Sequence, residues 1–181
     1  MPYGIVLLPP PGTAQRIIEF ATRLRASSPS LMVISDERLP HLSLAHADCS
    51  KNSAEAWWTR AIAIVPEYMP IKLAGLMFAP VGAGDFYIPE GGIYFGLEAI
   101  ATDVLRGAHE QILSAAEAVN AKPIGNVRDK FRPHITLGVM STSAVTLVDF
   151  PEWMTGEALV GRLAWGQLGS YGTFPDLHTR A

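Results

Sequence analysis

Two pentapeptides in this 181-residue chain follow one pattern, Pro40-His41-Leu42-Ser43-Leu44 and Pro133-His134-Ile135-Thr136-Leu137: proline, histidine, aliphatic, hydroxyl residue, leucine. In an extended strand successive side chains alternate between faces. His41 and Ser43 therefore share one face and His134 and Thr136 another, while Leu42, Leu44, Ile135 and Leu137 point the opposite way into a core. A strand rises roughly 3.3 Å per residue, so each copy sets an imidazole and a hydroxyl about 7 Å apart along one edge. A chain that carries this twice must place two half-polar strands so that both apolar faces are covered.

The residue types suit in-line attack on a phosphodiester. One group must take a proton from the nucleophile and another must return one to the leaving oxygen, and histidine, with an ordinary pKa of about 6.5, serves either role near neutral pH. The hydroxyls of Ser43 and Thr136 would hold non-bridging phosphate oxygens by hydrogen bonds as charge develops. The scheme needs no metal, and no histidine here has the spacing of a metal ligand set.

These residues resemble the 2H phosphoesterases, which include the bacterial RNA 2',3'-cyclic phosphodiesterases also called 2'-5' RNA ligase-like proteins. The likeness rests on the two His-x-Ser/Thr-x motifs, on the context Arg132-Pro133-His134-Ile135-Thr136-Leu137-Gly138, and on a separation of 93 positions between the histidines. It extends from Tyr3 to about Gly138. It implies an α+β bilobal fold related by a pseudo-twofold axis, with two antiparallel sheets flanking a central cleft and helices outside. It also implies a metal- and cofactor-independent cyclic phosphodiesterase, with His41 and His134 as acid and base. A phosphate-binding module without turnover is the alternative on the same fold, and the family name makes RNA ligation worth testing.

Composition narrows the ligand. Hydrophobic residues make up 49% and charged residues 17%, a globular balance, and the net charge is −3. Binders of long nucleic acid usually carry a basic surface, so the expected partner is a small nucleotide or an RNA end bearing a cyclic phosphate, with no long duplex. Four of the 14 basic residues, Lys122, Arg128, Lys130 and Arg132, gather just before His134 and could supply a local field for one phosphate; Arg132 and Lys130 are the candidate contacts. Tyr87 and Tyr94, beside the glycine-rich stretch Gly82 to Gly84, and Tyr171 in the tail are candidate substrate contacts, with sheet packing the ordinary reading for the first two. Cys49 is the single cysteine and lacks the surroundings of a cysteine enzyme. The apolar run Ile5 to Leu8 stops at Pro9 and has no basic leader, so neither a signal peptide nor a membrane span is expected, and a cytoplasmic monomer is the expectation.

Along the chain, strands are expected at Tyr3 to Leu8, Leu31 to Ile34, Ile71 to Phe78, Gly92 to Leu97, Leu159 to Trp165 and Gln167 to Tyr171. Helices are expected from Thr13 as N-cap to Leu24, from Asn52 or Ser53 to Val65, and from Ala99 to Asn120. Each half then reads strand, helix, loop, motif strand, within a single domain covering residues 1–181. His46 falls on the opposite face from His41 in a regular strand, which makes it a structural or surface histidine. His109 lies inside a helix, and Asp176 to Ala181 reads as a frayed end.

Overall fold

A computed structural model describes residues 1–25, 30–141, 151–154, 156 and 158–180; Ser27-Ser28-Pro29, whose composition predicts the end of the first helix, lies outside them. The chain runs β1 (Pro2–Leu8), α1 (Pro11–Arg25), β2 (Ser30–Val33), β3 (Leu42–Asp48), α2 (Lys51–Ile64), β4 (Tyr68–Ile71), β5 (Leu73–Val81), β6 (Gly92–Ala99), α3 (Asp103–Glu117), β7 (Lys122–Ile124), β8 (His134–Met140), β9 (Leu159–Gln167) and β10 (Leu177–Thr179). Short 3-10 turns occupy Arg128–Lys130, Glu152–Met154 and Ser170–Gly172.

Helix ends follow local chemistry. Pro11 opens α1, where its missing N–H costs nothing, and the Pro10 carbonyl accepts from the Thr13 and Ala14 amides at 2.9 and 2.8 Å; Thr13 therefore sits inside the first turn instead of capping it. Ser50 caps α2 by accepting from the Ser53 amide at 3.1 Å. Thr102 caps α3 by accepting from the Leu105 amide at 3.3 Å, so the helix starts later than the apolar spacing alone suggests. It stops where Asn120 takes a left-handed φ of 57° and the Ala121 amide folds back to the Ala116 carbonyl at 3.0 Å.

Every strand pairing is antiparallel, in the order β10-β9-β1-β3-β8-β6-β5, with β2 on β8, β7 on β3 and β4 on β9. The two expected sheets are thus halves of one, joined at the middle by a single pair, Leu42 with Ile135. Their edges are exchanged: β2 from the first half pairs with β8, β7 from the second pairs with β3, and α1 and α3 likewise pack on β8 and β3. The anchors of the motif strands, Leu42, Leu44, Ile135 and Leu137, are at most 1% exposed and share one core with Phe20, Trp57 and Phe95. Trp57 donates its indole N–H to the Ile112 carbonyl at 2.8 Å, whereas Trp58 stays partly exposed.

Two tail expectations change. Gln167 to Tyr171 leaves β9 for a 3-10 turn, in which Tyr171 takes the left-handed φ of 59°. Residues expected to fray instead form β10 on β9, with Leu177 packed beneath it.

Gly138 marks how closely the second half is packed. A Cβ there would lie 2.5 Å from the Met32 carbonyl oxygen and 2.7 Å from the Phe95 ring. Since β2 backbone cannot yield without leaving β8, Gly138→Ala should cost about 1–3 kcal/mol, read as a lower denaturation midpoint at unchanged slope; an unaltered midpoint would contradict the packing.

Candidate functional site

Extending the Leu42–Ile135 register by one residue each way sets His41 across from Thr136 and Ser43 across from His134, all four on the face opposite the core. Directly opposite residues of a regular antiparallel pair lie about 5 Å apart. The four residues accordingly line one cavity, of about 320 Å³. Its walls come from Tyr94 on β6, Phe86 and Tyr87 on the β5–β6 connection, Gly125 to Val127 after β7, Arg132, and Tyr171 with Gly172 from the tail.

The two imidazoles are held the same way. Each Nδ1–H donates to the backbone carbonyl two residues earlier, His41 to Leu39 at 2.9 Å and His134 to Arg132 at 2.7 Å. A carbonyl oxygen carries no proton, so Nδ1 is the donor in both rings, and the Gly172 backbone is a second hydrogen-bonding neighbour of His41. His41, 7% exposed, also packs edge-on against Phe174 at 4.9 Å.

Burial pushes the pKa of both below 6.5. For His41 the His134 charge acts in the same sense, while the Leu39 and Gly172 backbone groups oppose it. For His134 the Arg132 carbonyl and Glu98 oppose the burial and the Arg132 charge reinforces it. Arg132 donates to Glu98 at 2.6 Å, and Glu98 pairs across the strand with His134.

The basic cluster does not converge on this cavity. Arg132 lines it; Lys130 does not. Arg128 instead pairs with Glu110 at 2.8 Å and Glu117 at 2.7 Å, and Lys122 stands on β7 opposite Asp48. The tyrosines do converge. Burial pushes the Tyr87 hydroxyl up to about 12 and raises that of Tyr94, while Tyr171 donates to Glu90 at 2.7 Å, tying the tail to the β5–β6 connection. Cys49 is half-buried and outside the cavity, and burial raises its thiol pKa.

His46 corrects the sequence reading: it faces the cavity. Between the pairs Val6–Ser43 and Ile5–Ala45 the extra residue Leu44 forms a β-bulge, and one extra residue reverses the face of everything after it. The same shift occurs on β8, where Leu137 is the extra residue between Thr136 and Gly138. Nothing in the alternation of apolar and polar residues announces either bulge. Phe174, brought in from the tail, was equally unreadable. His109 is the structural histidine its helix position suggested: its Nδ1–H donates to the Leu44 carbonyl at 2.6 Å, its Nε2 accepts from the Arg128 amide at 2.8 Å, and it stacks on Phe131 at 4.0 Å.

No protein-family profile and no curated protein matches the chain. Solved structures do. Apo LigT of E. coli is 18% identical with a TM-score of 0.60, over 99% of this chain and 94% of its own. This chain has the fold of LigT. TT0787 of Thermus thermophilus gives 19% identity and a TM-score of 0.59, over 100% of this chain and 96% of that one. A structure described as a phosphoesterase gives 19% and 0.58, over 99% and 94%. Among the described residues, no helix is long and apolar enough to cross a membrane, and no group of three His, Cys, Asp or Glu residues is placed to hold a metal ion.

Depressed histidine pKa values make stability depend on pH. Burial lowers His41, His109 and His134 and holds His46 at about 3. Below pH 6.5 the unfolded chain binds protons that these native rings refuse, so the stability present above 6.5 is lost as pH falls toward the folded values. Carboxylates held low by partners, such as Glu98, act only below about 4.5. Denaturant midpoints should therefore fall steadily from pH 7 to pH 5; a flat profile across that interval would contradict the buried neutral rings.

Proposed function

We propose that this chain is a metal-independent hydrolase that opens a cyclic phosphodiester, a 2',3'-cyclic phosphate on a nucleotide or RNA end, acting as a cytoplasmic monomeric single domain. The observation that carries this reading is the pair of imidazoles, each held through Nδ1 by the carbonyl two residues earlier and both lining one cavity with Ser43 and Thr136. One neutral ring takes a proton from water through Nε2 as the water oxygen bonds to phosphorus. The other, protonated, gives its Nε2 proton to the leaving ribose oxygen as that P–O bond breaks. The product is a phosphomonoester, and the histidines have exchanged protonation states. Throughout, the Leu39 and Arg132 carbonyls keep accepting from Nδ1, so neither ring need turn.

Ser43 and Thr136 would hold the non-bridging oxygens, with Arg132 as the cation lining the same cavity. A cavity of about 320 Å³ suits a mononucleotide, and Tyr94 and Tyr87 offer ring surface at its wall. Structures of LigT from E. coli have been solved in complex with phosphate, ATP, NADP+ and 3'-AMP, ligands of the same chemical class.

The test is hydrolysis of 2',3'-cyclic nucleotides with EDTA present. His41→Ala and His134→Ala should each lose about 10²- to 10⁴-fold in kcat, with EDTA without effect. The pH profile of kcat/KM should be bell-shaped with its acid limb below 6.5, because burial depresses the free-protein histidines. Near-normal turnover by either variant, or activity lost to chelation and restored by zinc, would reject this mechanism. Tight nucleotide binding with no product at any pH would instead assign a binding module.

A further inference from the structure

Among the described residues, His46 is the histidine at the cavity for which the acid-base scheme has no use, yet both of its ring nitrogens are engaged. Nδ1 lies 2.7 Å from the Tyr87 hydroxyl and Nε2 lies 3.0 Å from Ser43 Oγ. We propose that His46 is a positioning residue that, held by Tyr87, turns the Ser43 hydroxyl into an oriented donor for a non-bridging phosphate oxygen. This rests on the reading of the cavity as a phosphate site.

Proton counting leaves two directions for the relay. A neutral imidazole has one N–H and one lone pair, and burial keeps His46 neutral, its pKa about 3. Two arrangements satisfy both contacts. If Nδ1 carries the proton, it donates to Tyr87, and Ser43 must spend its own proton on Nε2. Tyr87 then needs another acceptor, and among the described residues its hydroxyl meets only His46. If Nε2 carries the proton, Tyr87 donates to Nδ1, Nε2–H donates to Ser43 Oγ, and the Ser43 proton is left for a ligand. Each arrangement leaves one hydroxyl proton for a ligand, that of Tyr87 in the first and that of Ser43, on the motif strand beside the catalytic histidines, in the second; the second is the relay proposed. It also makes His46 the opposite tautomer from His41 and His134.

The fold has made room for the ring. The Leu44 bulge turns His46 to the Ser43 side, and its cross-strand partner is Gly4, where a Cβ would lie 2.7 Å from His46 Cδ2 and 2.5 Å from the Phe174 ring. The device exists in one half only. The matching position five residues after His134 is Val139, packed with Met32 and Ile88, and among the described residues nothing hydrogen-bonds the Thr136 hydroxyl. Ser43 is thus an oriented donor and Thr136 a free rotor, which distinguishes two otherwise equivalent phosphate contacts.

Nitrogen-15 NMR of histidine-labelled full-length protein, with and without inorganic phosphate, reads the tautomers directly and needs no variant. His46 should be neutral and Nε2–H at pH 6 to 8, while His41 and His134, where neutral, should be Nδ1–H. Titration with inorganic phosphate then tests the purpose. His46→Phe should weaken phosphate binding about 10- to 100-fold, and Ser43→Ala should do the same; the double variant should be no worse than either single one, and His46→Gln, which can still donate an amide hydrogen to Ser43, should recover most of the affinity. With 2',3'-cyclic AMP, the loss in His46→Phe should fall on kcat as well as KM, since a donor aimed at developing charge acts most in the transition state. Phosphate binding with His46 as Nδ1–H or as the imidazolium, additive losses in the double variant, or failure of the glutamine to rescue would overturn the relay and leave the phosphate site standing. Wild-type protein that neither binds phosphate nor turns over the cyclic nucleotide would overturn the phosphate reading, and the relay's purpose with it.

Discussion

The architecture depends on one constraint, that β3 and β8 pair in register at one position, Leu42 with Ile135, while each is committed to the core along its other face. Leu42, Leu44, Ile135 and Leu137 are essentially fully buried, and burial of such side chains contributes about 1.5–3 kcal/mol each. That commitment leaves the opposite face only one direction, outward into the gap between the two halves of the sheet. Three imidazoles lose much of their water there, an unfavourable term visible as depressed pKa values. The apolar side of the same strands offsets it. Core and cavity are the two faces of one pair of strands, so neither can be altered alone.

Exchange of elements makes the juxtaposition hard to undo. With β2 and α1 on β8, and β7 and α3 on β3, parting His41 from His134 would require peeling edge strands from both halves. The cavity mouth is built differently, from the β5–β6 connection and the tail, tied by the Tyr171–Glu90 hydrogen bond. A rigid floor with walls made of connections is a common division of labour, since loops can vary in shape while the frame that aims the reacting groups stays in place.

Much of this is legible in the sequence. The two motifs predict strands with His and hydroxyl on one face and leucine on the other, and the element order of each half follows from periodicity and punctuation. The departures have physical causes. Pro11 enters α1 as its first residue because a helix start needs no N–H there. The basic run before His134 reads as one patch, but Arg128 takes a left-handed turn, φ 56°, and bends back to the acidic side of α3, leaving Arg132 alone of the four at the cavity. His46 lies on the face opposite to the expected one because period-2 reasoning assumes an unbroken ladder, and a bulge is a property of the pairing, not of either strand's composition.

By itself, then, the order of residues determined that His41 shares a strand face with Ser43 and His134 with Thr136, which segments coil into helices, and that two His-x-Ser/Thr units exist. Those are local consequences of backbone geometry. Tertiary structure alone decided that the units meet through Leu42 and Ile135, that Leu44 and Leu137 bulge, that His46 joins Ser43, and that Gly172 and Phe174 arrive from the tail to enclose His41. Each of those depends on which strands pair and in what register, a choice made by the packing of the whole core and carried by no short stretch of the chain.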